Sequence, residues 1–200
     1  MDYNMSVLIE KADLSLKYAT HYNGVKDILH QGSSEVMNAR RNRAFQDFVM
    51  QGIPTRKNEN YKYTNLQPQF FPEYRFVHHR EPVKVDLNAV FRCDVPRLDT
   101  HLAFIFNGWF YEHNNQIGTL TDGVILESLE KVAREKPELL GKYASLAPTG
   151  DDPLVALNTA FAKDGYFLYV PENTTIGIPI QLINFLQANE SAFVTQRNSV

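Results

Sequence analysis

The sequence predicts an α+β fold, in which a mainly helical region over residues 1–150 precedes a helix and closely spaced strands over residues 151–200. Three patterns predict it: a helix with clear start and stop signals at residues 35–51, a hairpin signal at residues 101–113, and several β-prone runs after Gly165. The 200 residues are 44% hydrophobic and 22% charged. That composition is typical of a globular chain that can bury a core, and not of a disordered one.

The charge balance argues against a nucleic-acid partner. Lys and Arg number 20 and Asp and Glu 23, for a formal net charge of −3, so no positive field attracts phosphates. Cys93 is the single cysteine, which excludes an intrachain disulfide and suits a reducing compartment. The longest apolar stretches are far shorter than the roughly 20 residues that a membrane helix needs. We therefore expect a soluble, cytoplasmic protein without a membrane partner.

Two helices are expected in the first quarter of the chain. Residues 5–31 carry apolar side chains at helical spacing, with an interruption at the Asn-Gly pair at 23–24. The serine pair at 33–34 offers N-cap oxygens for a second helix. Gly52 and Pro54 then provide a stop signal, because glycine accepts left-handed backbone geometry and proline does not continue a helix.

The middle of the chain is expected to be irregular up to a β-hairpin. Residues 53–82 are rich in Tyr, Phe and Pro, and prolines disfavour a long regular element. One helical turn is expected at residues 86–91. The Asn-Gly pair at 107–108 stands between two β-prone runs and favours a type I′ turn, which predicts a hairpin near residues 101–113.

Three further helices are expected before the final strands. Asp122 is the expected N-cap of the first, and Pro137 begins a short second helix over residues 138–146. Asp152-Pro153 reads as an N-cap followed by proline at the first helical position, and Gly165 ends this third helix. The first helix is expected to bury one face, formed by Val124, Ile125, Leu129, Val132 and Ala133.

The C-terminal part reads as strands in quick succession. β-prone runs lie at residues 166–170, 180–186 and 192–200. The last run ends the chain within an apparent strand, and a strand whose partner is absent leaves a bare edge. We therefore expect these 200 residues to be a fragment of a longer protein, cut inside a β domain.

Two long motifs resemble one known family. Residues 52–66, GIPTRKNENYKYTNL, are similar to the N-terminal signature of the SufD family, the scaffold subunit of the Suf iron–sulfur assembly machine. Residues 157–183 are also similar to that family, at the place where a helix leads into the first strands of a parallel β-helix. The matching positions in this second motif include Leu157, Asn158, Ala160, Phe161, Asp164, Gly165, Val170, Pro171, Pro179 and Ile180.

The resemblance implies both an architecture and a role. It implies a helical N-terminal region that leads into the first coils of a right-handed parallel β-helix, here truncated. It implies a non-enzymatic scaffold that acts with SufB-like and SufC-like subunits and with a cysteine desulfurase system. No cofactor is expected within this chain, because the iron–sulfur cluster would be handled by the assembled complex. None of the family's functional residues in the later β-helix has a counterpart here.

The candidate functional residues lie in the first motif and are Pro54, Arg56, Glu59, Tyr61 and Tyr63. Tyr and Arg are enriched at interaction hot spots, so one interpretation is a partner-docking surface. The other is a purely structural loop, in which the tyrosine rings pack on the preceding helix and Glu59 pairs with a basic neighbour. We favour the structural loop, because irregular chain needs side-chain partners for its backbone.

No catalytic or metal-binding residue is predicted. Adjacent His78 and His79 point to opposite faces of an extended chain, so one ion rarely binds both. His101, His113 and Cys93 add no spacing typical of a metal site. Cys93 is expected to be a buried or partly buried thiol.

Two other interpretations of the whole chain remain open. One is a self-contained α+β enzyme or small-molecule binder, whose pocket would be lined by the aromatic residues of 61–76 and by Arg56, Glu59 and His78. The other is a helical adaptor, formed by residues 1–150, that binds a peptide or the desulfurase.

Overall fold

A computed structural model describes residues 3–83, 100–111, 120, 123–143 and 148–200. Helices dominate its first part and strands gather towards the C-terminus, so the α+β prediction is confirmed. The helical turn expected at residues 86–91, the expected N-cap Asp122 and the single cysteine Cys93 lie outside the described residues.

Five α-helices lie in the described part of the chain: α1 Tyr3–His30, α2 Glu35–Gln51, α3 Leu129–Glu135, α4 Pro137–Tyr143 and α5 Pro153–Phe161. The predicted caps of α2 and α5 are confirmed. Ser34 Oγ accepts a hydrogen bond from the backbone N–H of Met37 at 3.3 Å. Asp152 Oδ1 accepts from the backbone N–H groups of Leu154 and Val155 at 2.7 and 3.1 Å.

Helix α1 is continuous, so the interruption predicted at residues 23–24 is wrong. Gly24 is exposed, and a Cβ atom there would meet nothing within 4 Å. A glycine in such a position costs only about 1 kcal/mol of helix propensity. Tyr22 and Leu29 lie on either side of it in sequence and are buried in one core, which holds both halves of the helix in line.

Helices α2 and α5 are joined by a buried guanidinium. Arg41 is 1% exposed, and its Nε and Nη2 both donate to the carbonyl oxygen of Ala162 at 3.2 Å, just beyond the end of α5. Its Nη1 donates to Ser33 Oγ at 2.7 Å and to Asn38 Oδ1 at 3.0 Å. The bonds to Ala162 cap the C-terminal end of α5 with a positive charge, where the helix dipole favours one.

The described strands are β1 Arg75–Phe76, β2 His101–Phe106, β3 Trp109–Tyr111, β4 Ile125–Ser128, β5 Tyr166–Tyr169, β6 Ile180–Phe185 and β7 Ala192–Phe193. They form three small sheets, with the orders β1–β7, β3–β2–β6 and β4–β5. The predicted hairpin is confirmed, since β2 and β3 pair around Asn107 and Gly108. Both turn residues have positive φ, 47° and 83°, as a type I′ turn requires.

Three successive strands, β5, β6 and β7, are each paired with a strand from earlier in the chain. β4 runs antiparallel to β5, β2 runs parallel to β6, and β1 runs parallel to β7. In the longest pairing, His101 lies opposite Ile180 and Phe106 opposite Phe185. Strands on the two sides of the predicted domain boundary at residue 150 therefore pair with each other. The division into two domains stays a prediction.

Part of the predicted final strand has partners, contrary to the expectation of a bare edge. The regular strand there is β7, which pairs with β1. Further on, Ser199 forms a parallel bridge with Phe167. Leu168 N–H donates to the Ser199 carbonyl at 2.8 Å, and Ser199 N–H donates to the Tyr166 carbonyl at 2.9 Å.

Residues 125–128 form strand β4, whereas the sequence pattern predicted the first turn of a helix there. Ile125 lies opposite Tyr169 and Ser128 opposite Tyr166 in the antiparallel pair with β5. The helix begins only at Leu129, where Ser128 Oγ caps it by accepting from the Lys131 N–H at 3.1 Å. A short apolar run fits both the helix and the strand periodicity. Here pairing with β5, which is distant in sequence, favours the strand. The predicted burial of Leu129, Val132 and Ala133 on the helix is confirmed. Val124, also assigned to that face, precedes β4 and is half-buried.

Candidate functional site

The first motif forms an irregular segment, here called the motif loop (residues 53–66), that follows α2. Its base is fixed: Ile53 is fully buried, Pro54 is buried, and the Ile53 N–H donates to Ser15 Oγ of α1 at 3.3 Å. Further along, Asn58 Oδ1 accepts from the Asn60 N–H at 3.0 Å and caps a short 3₁₀ turn, Glu59–Tyr61. The irregular structure predicted for this segment is confirmed.

Tyr61 fastens the motif loop to helix α5. Its hydroxyl lies 2.7 and 2.9 Å from the two carboxylate oxygens of Asp152, the residue that caps α5. Burial, together with the hydrogen bond to Asp152 and the charge on its carboxylate, raises the pKa of Tyr61 to about 12. Tyr61 is therefore a protonated donor at neutral pH. The sequence analysis expected the tyrosine rings to pack on α2, whereas the Tyr61 hydroxyl bonds to the residue that caps α5.

The other candidate residues of the motif loop lie on the surface. Arg56, Glu59 and Tyr63 are exposed, and Tyr63 is 89% exposed. Glu59 forms an ion pair with Lys62, as the structural interpretation expected. The ammonium nitrogen of Lys62 lies 5.1 Å from the centre of the Tyr63 ring. The loop therefore has a fixed base and an exposed tip.

A second cluster forms around Asp164 in the segment between α5 and β5, here called the Asp164 junction (residues 162–168). The Asp164 carboxylate is fully buried and accepts four hydrogen bonds. The donors are Ser128 Oγ at 2.8 Å, the Phe110 N–H at 3.0 Å, the Glu130 N–H at 3.1 Å and Arg80 Nη2 at 3.3 Å. One side chain thus joins β3, β4, α3 and the segment after β1.

Gly165 lets the C-terminal segment approach the Asp164 junction. Helix α5 ends at Phe161, so Gly165 does not end it as predicted. A Cβ atom on Gly165 would lie 2.0 Å from the backbone oxygen of Arg197. The Arg197 N–H donates to the Asp164 carbonyl at 3.0 Å. Sequence reasoning gave Gly165 the role of ending a helix and gave Asp164 no role beyond its place in the second motif, although an Asp-Gly pair after a helix is a signal for a special backbone position.

Arg80 connects this junction to a cavity of about 510 Å³. Its guanidinium carbon lies 4.9 Å from the centre of the Tyr111 ring and 5.7 Å from that of Trp109. The described residues also line a smaller cavity, of about 210 Å³. Neither cavity is lined by Arg56, Glu59 or His78, so neither is the pocket that a small-molecule binder was expected to have.

Two histidines from distant parts of the chain meet beside the aromatic core. The Nε2 atoms of His21, on α1, and His78, after β1, lie 2.9 Å apart. Burial lowers the pKa of both rings, and for His78, with the charges of His21 and then His79 and Lys163 adding to it, to about 4. His78 and His79 differ in exposure, as their alternation predicted, but His21 was missed, because nothing in the sequence relates positions 57 residues apart.

Within the described ranges, no group of three or more His, Cys, Asp or Glu side chains is arranged to hold a metal ion. In the same ranges, no helix combines the length and apolar character of a membrane span.

The fold and its polar contacts define a class of protein: an α+β domain whose buried side chains fasten a succession of strands to a helical region. Comparison with known families is more specific. The family model described as "SufBD protein N-terminal region" matches residues 12–182. The chain belongs to the SufBD family.

Similar curated proteins carry the same family name. The chain is 39% identical over 69 residues to "Iron-sulfur cluster assembly SufBD family protein ycf24" of Trieres chinensis, which is 34% of this chain and 14% of that protein. It is 39% identical over 70 residues to "Iron-sulfur cluster assembly SufBD family protein ABCI8, chloroplastic" of Arabidopsis thaliana, which is 34% of this chain and 13% of that protein. It is 36% identical over 70 residues to protein SH2035 of Staphylococcus haemolyticus, which is 34% of this chain and 15% of that protein. The match spans about a seventh of the length of these relatives.

Proposed function

We propose that this chain is the N-terminal part of a SufD-type scaffold subunit for iron–sulfur cluster assembly. The observation that carries the proposal is the family match over residues 12–182. The relatives' names refer to iron–sulfur cluster assembly. The choice of SufD over SufB rests on the resemblance of residues 52–66 to the SufD signature.

The strands fit the first turn of a right-handed parallel β-helix, and we propose that fold for the region. β5, β6 and β7 follow one another, and the chain then returns to lie parallel to β5 at Ser199. The return takes 32 residues, the separation between Tyr166 and Asn198, whose Oδ1 accepts from the Tyr166 N–H. On the other edge, β4, β2 and β1 cover the same strands, as a terminal cap of a solenoid does.

In the proposal this chain has a scaffold role, without catalysis of its own. Asp164 accepts hydrogen bonds from four parts of the fold, and the Tyr61 hydroxyl contacts the carboxylate that caps α5. These groups hold elements together. In the proposal, the chemistry comes from a SufC-like ATPase and a cysteine desulfurase system, a SufB-like subunit is the pairing partner, and the assembled complex carries the cluster. We also propose that the complex is cytoplasmic.

Copurification tests the proposal. The full-length natural protein, tagged, is coexpressed with the SufB-like and SufC-like proteins of its own organism, and the complex is isolated by size-exclusion chromatography. We expect all three to elute together, with an unrelated ATPase of similar size as the negative control. Elution of the tagged protein without either partner would contradict the proposal.

A further inference from the structure

The strongest unassigned feature of the molecule is the cavity of about 510 Å³ beside Arg80, here called the Arg80 cavity. Among the described residues, the charged side chains that line it are Arg80 from the segment after β1, Glu127 from β4, and Glu130, Lys131 and Arg134 from α3. A volume of this size is typical of a site for a small organic molecule. So many charged groups in one lining indicate a charged ligand.

The exposure of these groups indicates the sign of the ligand's charge, because in two ion pairs at the cavity the acid is the inner partner. The Asp164 side chain is fully buried, whereas its partner Arg80 is 45% exposed. The Glu127 side chain is 19% exposed, whereas its partner Lys131 is 41% exposed. The cations therefore face the solvent side of the cavity, where they attract an anion.

The third carboxylate, that of Glu130, is also directed away from the cavity mouth. It lies 3.8 Å from the ammonium of Lys163, which is less exposed than Glu130 itself. Burial raises the pKa of Glu130, while the charges of Lys163, Arg80 and Arg134 oppose the rise and that of Asp164 adds to it. Arg80 and Arg134 are thus within electrostatic reach of the same carboxylate, which brings the two guanidiniums to one region of the cavity.

Both guanidiniums are suited to bind an oxyanion. Asp164 accepts from Nη2 of Arg80 at 3.3 Å, and a guanidinium carries five N–H donors. The Arg80 guanidinium carbon lies 4.9 Å from the centre of the Tyr111 ring, which restricts its orientation. Arg134 pairs with the half-exposed Glu135 at 3.1 Å, a surface contact that an incoming anion can displace. Planar guanidinium forks match the oxygen geometry of phosphate.

We propose that the Arg80 cavity binds the phosphate group of a small organic molecule. Arg80 and Arg134 donate to the phosphate oxygens, and Lys131 adds positive charge beside them. A phosphate ion is much smaller than the cavity, so the organic part of the ligand occupies the remaining space against Phe110 and Tyr111. The inference is independent of the proposed scaffold role.

The test is isothermal titration calorimetry of the full-length natural protein with three probes: ribose 5-phosphate, inorganic phosphate, and ribose, which lacks the phosphate group. NaCl holds the ionic strength constant, because salt screens exposed charges. The variants are Arg80→Gln and Arg134→Gln. The matched control is Arg56→Gln, which removes an exposed arginine of the motif loop.

We expect both phosphate compounds to bind the wild type and R56Q at one saturable site, with ribose 5-phosphate the tighter ligand and ribose not bound. Loss of a charge-assisted hydrogen bond should weaken binding about tenfold in R80Q and in R134Q. No saturable binding to the wild type, unchanged affinity in R134Q, or equal weakening in R56Q overturns the proposal. Equal affinity for phosphate and ribose 5-phosphate overturns the organic ligand.

The two arginine variants differ in their structural risk. Arg80→Gln removes a partner of the buried Asp164, so its melting curve is recorded first. Should R80Q fail to melt cooperatively, R134Q decides alone, because the Arg134 side chain is 53% exposed and its partner Glu135 is equally accessible.

Discussion

The motif loop and the Asp164 junction both match the signature of one family, and they are built in opposite ways. The motif loop is fixed at its base and hydrogen-bonded to the cap of α5 through Tyr61, while Tyr63 nearby is 89% exposed. The Asp164 junction is buried, and donors from four parts of the chain converge on one carboxylate. A motif position is therefore no guide to burial, and substitutions in the two regions should differ in cost.

The largest effect is expected from Asp164→Ala. The change leaves the N–H groups of Phe110 and Glu130 without their acceptor, and removes the partner of Arg80. Arg80 is 45% exposed and regains water, so the loss comes mainly from the buried N–H groups and the Ser128 hydroxyl. We expect the free energy of unfolding to fall by about 3–5 kcal/mol, measured by urea denaturation.

Asp151, an aspartate on the surface, provides the control for this comparison. Asp151→Ala should change the free energy of unfolding by no more than about 0.5 kcal/mol. A loss below about 1 kcal/mol for Asp164→Ala would show that the junction is not a central fastening point.

The next largest effect is expected from Gly165→Ala. The added methyl group would lie 2.0 Å from the Arg197 backbone oxygen, so the C-terminal segment must move away from the Asp164 junction. We expect a cost of about 2–3 kcal/mol, as for overpacking in a core. The loss should be local. Hydrogen exchange should accelerate at the Arg197 and Ser199 amides, which are bonded to Asp164 and Tyr166.

Gly177→Ala is the matched control, because a Cβ atom at that position would meet nothing within 4 Å. It should leave the exchange of the Arg197 and Ser199 amides unchanged. Equal exchange in G165A and G177A would contradict the close approach at Gly165.

Sequence reasoning succeeded where a signal and its consequence lie within a few residues of each other. The caps at Ser34 and Asp152 and the turn at Asn107-Gly108 are of this kind, because each is set by a hydrogen bond or a backbone angle within one turn. It failed at Ile125, where strand and helix patterns coincide and the choice depends on pairing with β5.

The candidate site shows the same limit more clearly. The sequence marks Asp164 only as a position of the second motif, because the donors that converge on it come from residues 80, 110, 128 and 130. His21 was missed for the same reason. Contacts over such separations depend on how strands and helices pack, and no local pattern in one sequence encodes them.

Tyr61→Phe tests the hydrogen bond that joins the motif loop to α5. The change removes the hydrogen bond to Asp152 but keeps the ring and leaves the cap of α5 in place. A hydrogen bond to a charged acceptor at a partly exposed site gives an expected loss of about 1–2 kcal/mol. Because the hydrogen bond joins Tyr61 to Asp152, the losses of unfolding free energy from Tyr61→Phe and Asp152→Ala should be non-additive in a double-mutant cycle. Full additivity would contradict the link.

The same side chain gives a pH dependence with a definite sign. The pKa of Tyr61 is raised to about 12 in the folded protein, above its ordinary value of 10.0. Its stabilising contribution is therefore complete below pH 10 and is lost as the pH rises towards about 12, because the unfolded chain releases that proton first. Between pH 9 and pH 11, Tyr61→Phe should lose less stability than the wild type, with Tyr63→Phe as the control.

The smallest effect on stability is expected at the exposed tip of the motif loop. Tyr63→Ala removes a ring that is 89% exposed and whose near neighbour is the Lys62 ammonium, at 5.1 Å. Its free energy of unfolding should stay within about 0.5 kcal/mol of the wild type, in contrast to Tyr61→Phe two residues earlier. If Tyr63→Ala lowers the free energy of unfolding by more than about 1 kcal/mol, the tip contributes to stability and the contrast between Tyr61 and Tyr63 is wrong. With stability unchanged, weaker copurification of Tyr63→Ala with SufB-like or SufC-like partners would assign the exposed tip to docking.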